Sequence, residues 1–357
     1  IASVDPDTGL ITAKSAGEAK IAAISKDNTD IRAFCTVCVK QTSTKPTLEL
    51  PLNKVRESSV SAPVDVSTGA HAFSNVIMSL FGGQGIKLVA HYNSTQLVSG
   101  LFGYGWWHNY EKHVVIDGNK ALVYSSPTVY TEYEAQSDCL TTYACTSANK
   151  SGYFLTVDHS AQYPYSIDCN SSYTEHYNSN GMLAKITDHH GFDTVISYTD
   201  TLITITDMVS GKSIYLEKDC NCRVSRVYDD TGRQTTFTYS GNNLVQIKDM
   251  NGNVLAYSYD EEGRIKSGVD GNGTRYFENT YDTCGRISAQ KDSITDSESS
   301  TFTYEDCIRV TTDRIGNCST REYDCNGLLV SHTDEDCNTT TYEYDSHYNV
   351  TKETDPK

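Results

Sequence analysis

The side chains with the greatest chemical potential in this sequence are its 12 cysteines: Cys35, Cys38, Cys139, Cys145, Cys169, Cys220, Cys222, Cys284, Cys307, Cys318, Cys325 and Cys337. Cys35-x-x-Cys38 and Cys220-x-Cys222 suggest zinc ligands by spacing. In an extended strand, however, residues three apart point to opposite faces, so Cys35 would join Val37 and Val39 toward a core while Cys38 faced out. Disulfides are the alternative outside a reducing cytosol. Cys220, Cys222, Cys318, Cys325 and Cys337 are the candidates, their pairing left open. The plainest reading is that many are free, small residues. Asp188-His189-His190-Gly191 has the residue types of a metal or acid–base site, but the local pattern calls for a solvated turn there. Trp106-Trp107 could stack on a sugar. On alternating faces of one strand, one of the two would enter the core. The acidic pairs Asp229-Asp230 and Glu261-Glu262 and the triplet Asp334-Glu335-Asp336 lack the dense oxygen-ligand loop of a calcium site and read as a solvated rim. No nucleophile elbow, His-Glu-x-x-His or phosphate loop is present in the sequence. The expectation is a non-enzyme with no cofactor and no metal.

Charge and hydropathy narrow the partners. The 357 residues carry 29 basic and 46 acidic groups, a formal net charge of −17, which argues against binding a phosphate backbone. The longest apolar run, around Asn75–Phe81, is far short of the roughly 18 residues that span a bilayer, so no membrane insertion is expected. The chain starts at Ile1 and stops mid-pattern, and it reads as a piece of a longer protein.

The elements that would position these residues are strands. The 25 tyrosines, with abundant Thr, Ser, Asn, Asp and Gly, favour strands joined by tight turns, and helix-period runs are scarce. Asp5-Pro6-Asp7-Thr8-Gly9 is turn chemistry before Leu10-Ile11-Thr12, and a later strand covers Phe34–Val39. Residues 41–60 read as a linker. A block over 61–165 follows, with Pro63–Gly69, Ile86–Asn93 and Phe102–Tyr110 as strand-like runs punctuated by glycine. From 166 to 357 the sequence repeats. Tyr259-Asp260, Tyr281-Asp282, Tyr304-Glu305, Tyr323-Asp324 and Tyr344-Asp345 recur at intervals of 22, 23, 19 and 21 residues. The units share Tyr-Asp, two residues, Gly, a short alternating run, and then a second Asp-led turn: Gly263-Arg264, Gly285-Arg286 and Gly327 complete three of them. Two strands of about six residues plus two turns fill about 21 residues, so each unit is a hairpin and stacked hairpins continue one antiparallel sheet. On this layout Cys222 and Cys337 stand at the glycine position of their turns. Equivalent positions in successive hairpins, such as Cys284 and Cys307, lie about 9.6 Å apart, beyond disulfide reach.

Tyr-Asp-x-x-Gly-Arg at this period resembles the RHS/YD-repeat family, and the block Pro63–Gly69, Tyr92-Asn93-Ser94 and Phe102–Trp106 resembles the region that precedes the repeats in bacterial members. Residues 1–40, with Val4-Asp5, Gly9–Ala13, Ala16-Gly17 and Cys35-Thr36-Val37, resemble part of a group 2 bacterial Ig-like domain. The resemblance implies an all-β spiral shell around a C-terminal effector of the same polypeptide, a toxin in bacterial competition. The alternative is a cell-surface adhesin that binds carbohydrate or a neighbouring cell. Either would be secreted or surface-exposed. The Asp-Pro-x-Gly-type self-cleavage segment of toxin-bearing members is not found before Lys357.

Overall fold

The computed structural model describes residues 64–356 apart from 84, 148, 149, 151 and 293–298, together with the backbone of five short strands among the first 48 residues. The chain divides into a small unit, Ile1–Lys45, and a large one, Pro46–Lys357. In the small unit Ala2–Val4 pairs antiparallel with Ile11–Ala13, and Gly17–Ile24 with Arg32–Val39. These two hairpins fall where the turn chemistry puts strands; the Ig-like assignment itself rests on sequence alone. Cys35 and Cys38 stand opposite Ile21 and Glu18 in the second hairpin, and their side chains lie outside the described residues. So does most of the expected linker, although its Thr47–Leu48 forms a strand parallel to Val129–Tyr130.

The large unit is all-β, with no α-helix among the described residues. One antiparallel sheet runs strand by strand in sequence order from His113–Asp117 to Val350–Thr354. It crosses position 165/166 without interruption, so the hairpins extend upstream of the recognisable repeats. A second, four-stranded sheet is built from Val64–Asp65, Ala70–Leu80, Ile86–Asn93 and Trp106–His108. Its apolar face (Met78, Leu88, Tyr92, Trp106) forms one continuous core with Ile203, Leu216, Leu244 and Ile265 of the long sheet. Alternation makes this possible: Ile86–Asn93 buries every other residue, and Leu202–Asp207 does the same on the facing strand.

The turns on both rims are built alike, around a leading aspartate. At Asp282, Oδ1 accepts from the backbone N–H of Cys284 and of Arg286, each at 2.9 Å. At Asp313 on the opposite rim, Oδ1 takes the same two bonds from Ile315 and Asn317, again at 2.9 Å. Burial pushes the Asp282 carboxyl up, but the hydrogen bonds and charge of Arg286 outweigh it and hold the group below the usual carboxylate range. The fourth turn residue is left-handed: φ is 82° at Gly263, 80° at Gly285 and 76° at Gly327. Cys222 and Cys337 occupy this position with φ of 62° and 65°, as the repeat layout requires. A side chain there costs about 1–2 kcal/mol, partly offset by the extra chain entropy that glycine loses. Cys222→Gly is therefore expected to stabilise the protein by roughly 0.5–1 kcal/mol, read as a raised thermal midpoint.

Candidate functional site

The signature residues of the repeat form a stitch between successive hairpins. Arg264 binds Asp260 of its own turn through Nε at 2.7 Å and lies over the ring of Tyr281 in the next unit at 4.3 Å. The Tyr281 hydroxyl donates back to the carbonyl of Ile265, the residue after that arginine, at 2.8 Å. Arg286 repeats the arrangement with Asp282, the ring of Tyr304, and the Tyr304 hydroxyl donating to Ile287. Tyr259, Tyr239 and Tyr344 donate in the same way to Leu244, Val224 and Leu329. Tyr323, Asp324 and Gly327 make the same turn with Leu328 in place of arginine, and Tyr323 is buried. Each stitch satisfies a buried carbonyl, so Tyr239→Phe is expected to cost about 1–2 kcal/mol in urea unfolding, with the Arg223–ring contact retained.

The tyrosine also marks a β-bulge. Between Ser258 and Tyr259 the register slips, so that Tyr259 faces Ile265 while Ser258 faces Ser267. The same slip occurs at Tyr177, Tyr239, Tyr281, Tyr323 and Tyr344. A bulge disrupts the ladder and frees a backbone group that needs another partner. At Tyr177, Tyr259 and Tyr281, and at a further slip between Glu217 and Lys218, those partners come from residues 64–112. The N–H of Leu183 donates to the carbonyl of Lys112 at 3.1 Å, that of Val224 to Leu101 at 2.8 Å and that of Ile287 to Gly69 at 2.8 Å. The N–H of Ile265 donates to the hydroxyl of Tyr92 at 2.8 Å. Between these points the N–H of Tyr104 donates to the carbonyl of Asn242 at 2.8 Å. The upstream segment thus forms a strap docked on the repeat sheet. Its strand Ala70–Leu80 runs down in sequence as the hairpins it touches run up, and Ile86–Asn93 runs back, from Asp207 at Gly85 to Ile265 at Tyr92.

Side-chain contacts give the strap its direction. The carbonyl of Ile77 accepts from Thr235, Asn75 donates to Tyr257, and the ring of His71 packs on Phe277. Six extended residues from Ile77 to His71 cover about 20 Å. The strands they meet, Gln234–Ser240 and Arg275–Tyr281, are four sheet positions apart, or about 19 Å. The strand Ala70–Leu80 therefore crosses the repeat strands nearly at right angles. At the far end Lys112 pairs with the buried Glu175 at 2.6 Å, which also accepts the Tyr177 hydroxyl at 2.6 Å. The buried Cys169 nearby has its thiol pushed up to about 11 by burial.

This geometry corrects the sugar-platform reading of the tryptophans. Trp106 is 0% exposed. Its Nε1 donates to the Tyr259 hydroxyl at 3.2 Å, and its ring meets Phe73, Tyr92 and Tyr257. It is the central anchor of the strap and offers no face to a ligand. Trp107, on the opposite face, is half-buried and stacks on His91. Cys220, Cys222, Cys318, Cys325 and Cys337 are exposed free thiols, as are Cys284 and Cys307. Asp188-His189-His190-Gly191 is a turn, with Asp188 Oδ1 accepting from the N–H of His190 and of Phe192. Among the described residues, no group of three or more His, Cys, Asp or Glu is placed to hold a metal.

Two family models match the sequence: a domain of unknown function, DUF6531, over residues 61–130 and the RHS repeat over residues 323–357. The first covers the whole strap; the second covers the last hairpins of the sheet. No curated protein matches the chain by sequence. Similar solved structures include a complex described as TcdB2-TccC3-Cdc42, at 11% identity and a TM-score of 0.31 over 76% of this chain and 18% of that one. A TcdB2-TccC3 structure aligns at 10% identity and a TM-score of 0.29, over 94% of this chain and 23% of that one. A Tc holotoxin pore from Photorhabdus luminescens aligns at 11% and 0.31, over 66% and 19%. The chain thus spans about a fifth of the length of these chains. With the matched repeat at 323–357 and the same turn, stitch and bulge recurring upstream of it, the chain is an RHS/YD-repeat protein.

Proposed function

We propose that this chain is a non-catalytic wall segment of an extracellular RHS-type β-shell that encloses a C-terminal effector of the same polypeptide. The observation that carries the reading is the strap: a dedicated segment supplies partners at four bulges of one sheet, and the signature residues are spent on structure. Its arginines are bound to turn aspartates and tyrosine rings, and its tyrosine hydroxyls to carbonyls, so none converges on a reacting centre. The test is limited proteolysis of the natural polypeptide that contains this chain. A segment following residue 357 that resists protease until the wall is opened by Trp106→Ala supports enclosure; cleavage of that segment at equal rates in both proteins sinks it. The adhesin reading loses one of its two proposed contacts to the core and rests on Trp107. Glycan binding abolished by Trp107→Ala would restore it at the expense of the wall.

A further inference from the structure

We infer that residues 64–112 form an acid-releasable clasp, in which protonation of two buried strap histidines, His71 and His108, detaches the strap from the repeat sheet. The inference is independent of what the wall encloses. His71 is fully buried in a box of Phe73, Tyr92 and Phe277, with ring centroids at 5.0, 6.0 and 4.5 Å. Neither ring nitrogen has a hydrogen-bond partner. A neutral imidazole is tolerated there, whereas an imidazolium would present two charged donors to aromatic carbon. His108 is 1% exposed. Its Nδ1 accepts from the N–H of Tyr110 at 3.2 Å, which places the proton on Nε2, and Nε2 is unpartnered. Protonation would charge a ring whose neighbours include Phe102, edge-on at 5.8 Å. Both sites are made only when the strap is docked, since Phe277 belongs to the repeat sheet and Phe102 packs on Phe237 of that sheet.

The surrounding groups do not rescue the charge. Tyr92, in ring contact with His71, has its hydroxyl engaged by Ile265, and Tyr281, which acts on Tyr92, donates its own hydroxyl to the Ile265 carbonyl. Asp260 and Arg264, which act on Tyr281, are paired with one another. Around His108, Glu111 is the one carboxylate of its own segment lining the same cavity of about 260 Å³, with Lys112, His113 and Tyr198. Its oxygens accept from the N–H of Leu101 and of His108. Lys112 is committed to Glu175, and His91 adds repulsion. Burial accordingly lowers His71 and His108 to about 3 each. Burial also lowers His91, which bonds Ser74 and stacks on Trp107, and His113, which stacks on Tyr124.

The sign follows from linkage. A histidine of pKa about 6.5 when released and about 3 when docked binds more proton in the released state. Docking is therefore fully favourable above pH 6.5 and weakens as pH falls from 6.5 toward 3. At pH 5 each histidine favours release by about 30-fold, and the pair by about 10³-fold. The Asp282 carboxyl, pushed up by burial but held below the usual carboxylate range chiefly by its hydrogen bonds from Arg286, keeps its charge at pH 5.

Hydrogen exchange of the whole chain at pH 8 and pH 5, corrected for intrinsic exchange rates, tests this. Amides of Ala70–Leu80 and Ile86–Asn93 should lose about 10³ in protection at pH 5, reversibly. The amides of Val224, Ile265 and Ile287, which donate to the strap, should lose it with them, while ladder amides elsewhere in the repeats keep theirs. His71→Phe/His108→Asn, which fills the aromatic box and keeps an acceptor for Tyr110, should flatten the response. Strap protection unchanged at pH 5, protection lost equally in strap and repeats, or a double variant that responds like the parent would each overturn the inference. Should the double variant fail to fold, the site-selective pattern in the parent decides alone.

Discussion

Trp106→Ala is expected to lower the free energy of unfolding by roughly 3–5 kcal/mol, the range for removing a large aromatic from a packed core. The loss has three sources. The indole is fully buried, its ring touches three aromatic neighbours, and its Nε1 donates to the Tyr259 hydroxyl, which itself stitches to Leu244. Trp106→Phe should recover part of the packing and cost about half as much, because only the hydrogen bond and the second ring are lost. Trp107→Ala should cost under about 1.5 kcal/mol, since that ring is only half-buried and stacks on a single histidine. Urea unfolding of the three variants checks the ordering. A Trp107 effect equal to that of Trp106 would contradict the assignment of one tryptophan to the core and the other to the strap's outer face.

Gly103→Ala is the second large effect, expected at roughly 3–4 kcal/mol from backbone strain and a broken strap contact. Gly103 has φ of 98°, and a Cβ there would sit 2.6 Å from the carbonyl oxygen of Asn242. That oxygen accepts the Tyr104 N–H at 2.8 Å, so the strap cannot retreat from the clash without giving up the bond that docks it. Gly69 sets the same limit at the other end, where a Cβ would meet Arg286 Cβ at 2.5 Å. The readout for Gly103→Ala is hydrogen exchange as well as stability. Protection should fall at Val224 and along the strap before it falls in the repeats. Uniform loss would mean that strap and sheet unfold as one.

The hairpin architecture was legible because its determinants are local. Tyrosine at a spacing of about 21 residues, Asp-led turns and a left-handed fourth position all lie within one unit, and Cys222 and Cys337 could be placed at glycine positions from alignment of the turns alone. The alternation that split Trp106 from Trp107 was legible too, but which of them enters the core depends on Tyr259 and Tyr257 more than 150 residues away. The strap left no trace in the pattern. Part of its docking runs through backbone N–H and carbonyl groups, which carry no residue identity, and the partners of its side chains, such as Tyr257 for Asn75 and Ile265 for Tyr92, lie more than 150 residues away. The roles of the signature residues were hidden for a related reason. Spacing shows that Tyr, Asp, Gly and Arg recur together, but not that the arginine of one hairpin is sandwiched between its own aspartate and the tyrosine of the next.

The strap's contacts, taken in the order in which their partners are synthesised, set an order of assembly. Residues 64–112 leave the ribosome before any hairpin they hold. Lys112 is the first strap position to find its partner, at Leu183; Leu101 follows at Val224, Tyr92 at Ile265, and Gly69 last, at Ile287. The Tyr92–Ile265 contact joins residues 173 apart in the chain, a costly loop if closed from the extended state. Because the earlier contacts are already in place, each step closes only the short stretch added since the one before, and the entropy lost per step stays small. A wall whose contacts look highly non-local when finished can thus be laid course by course as it is synthesised, with the first-made segment serving as the guide on which each later hairpin is hung.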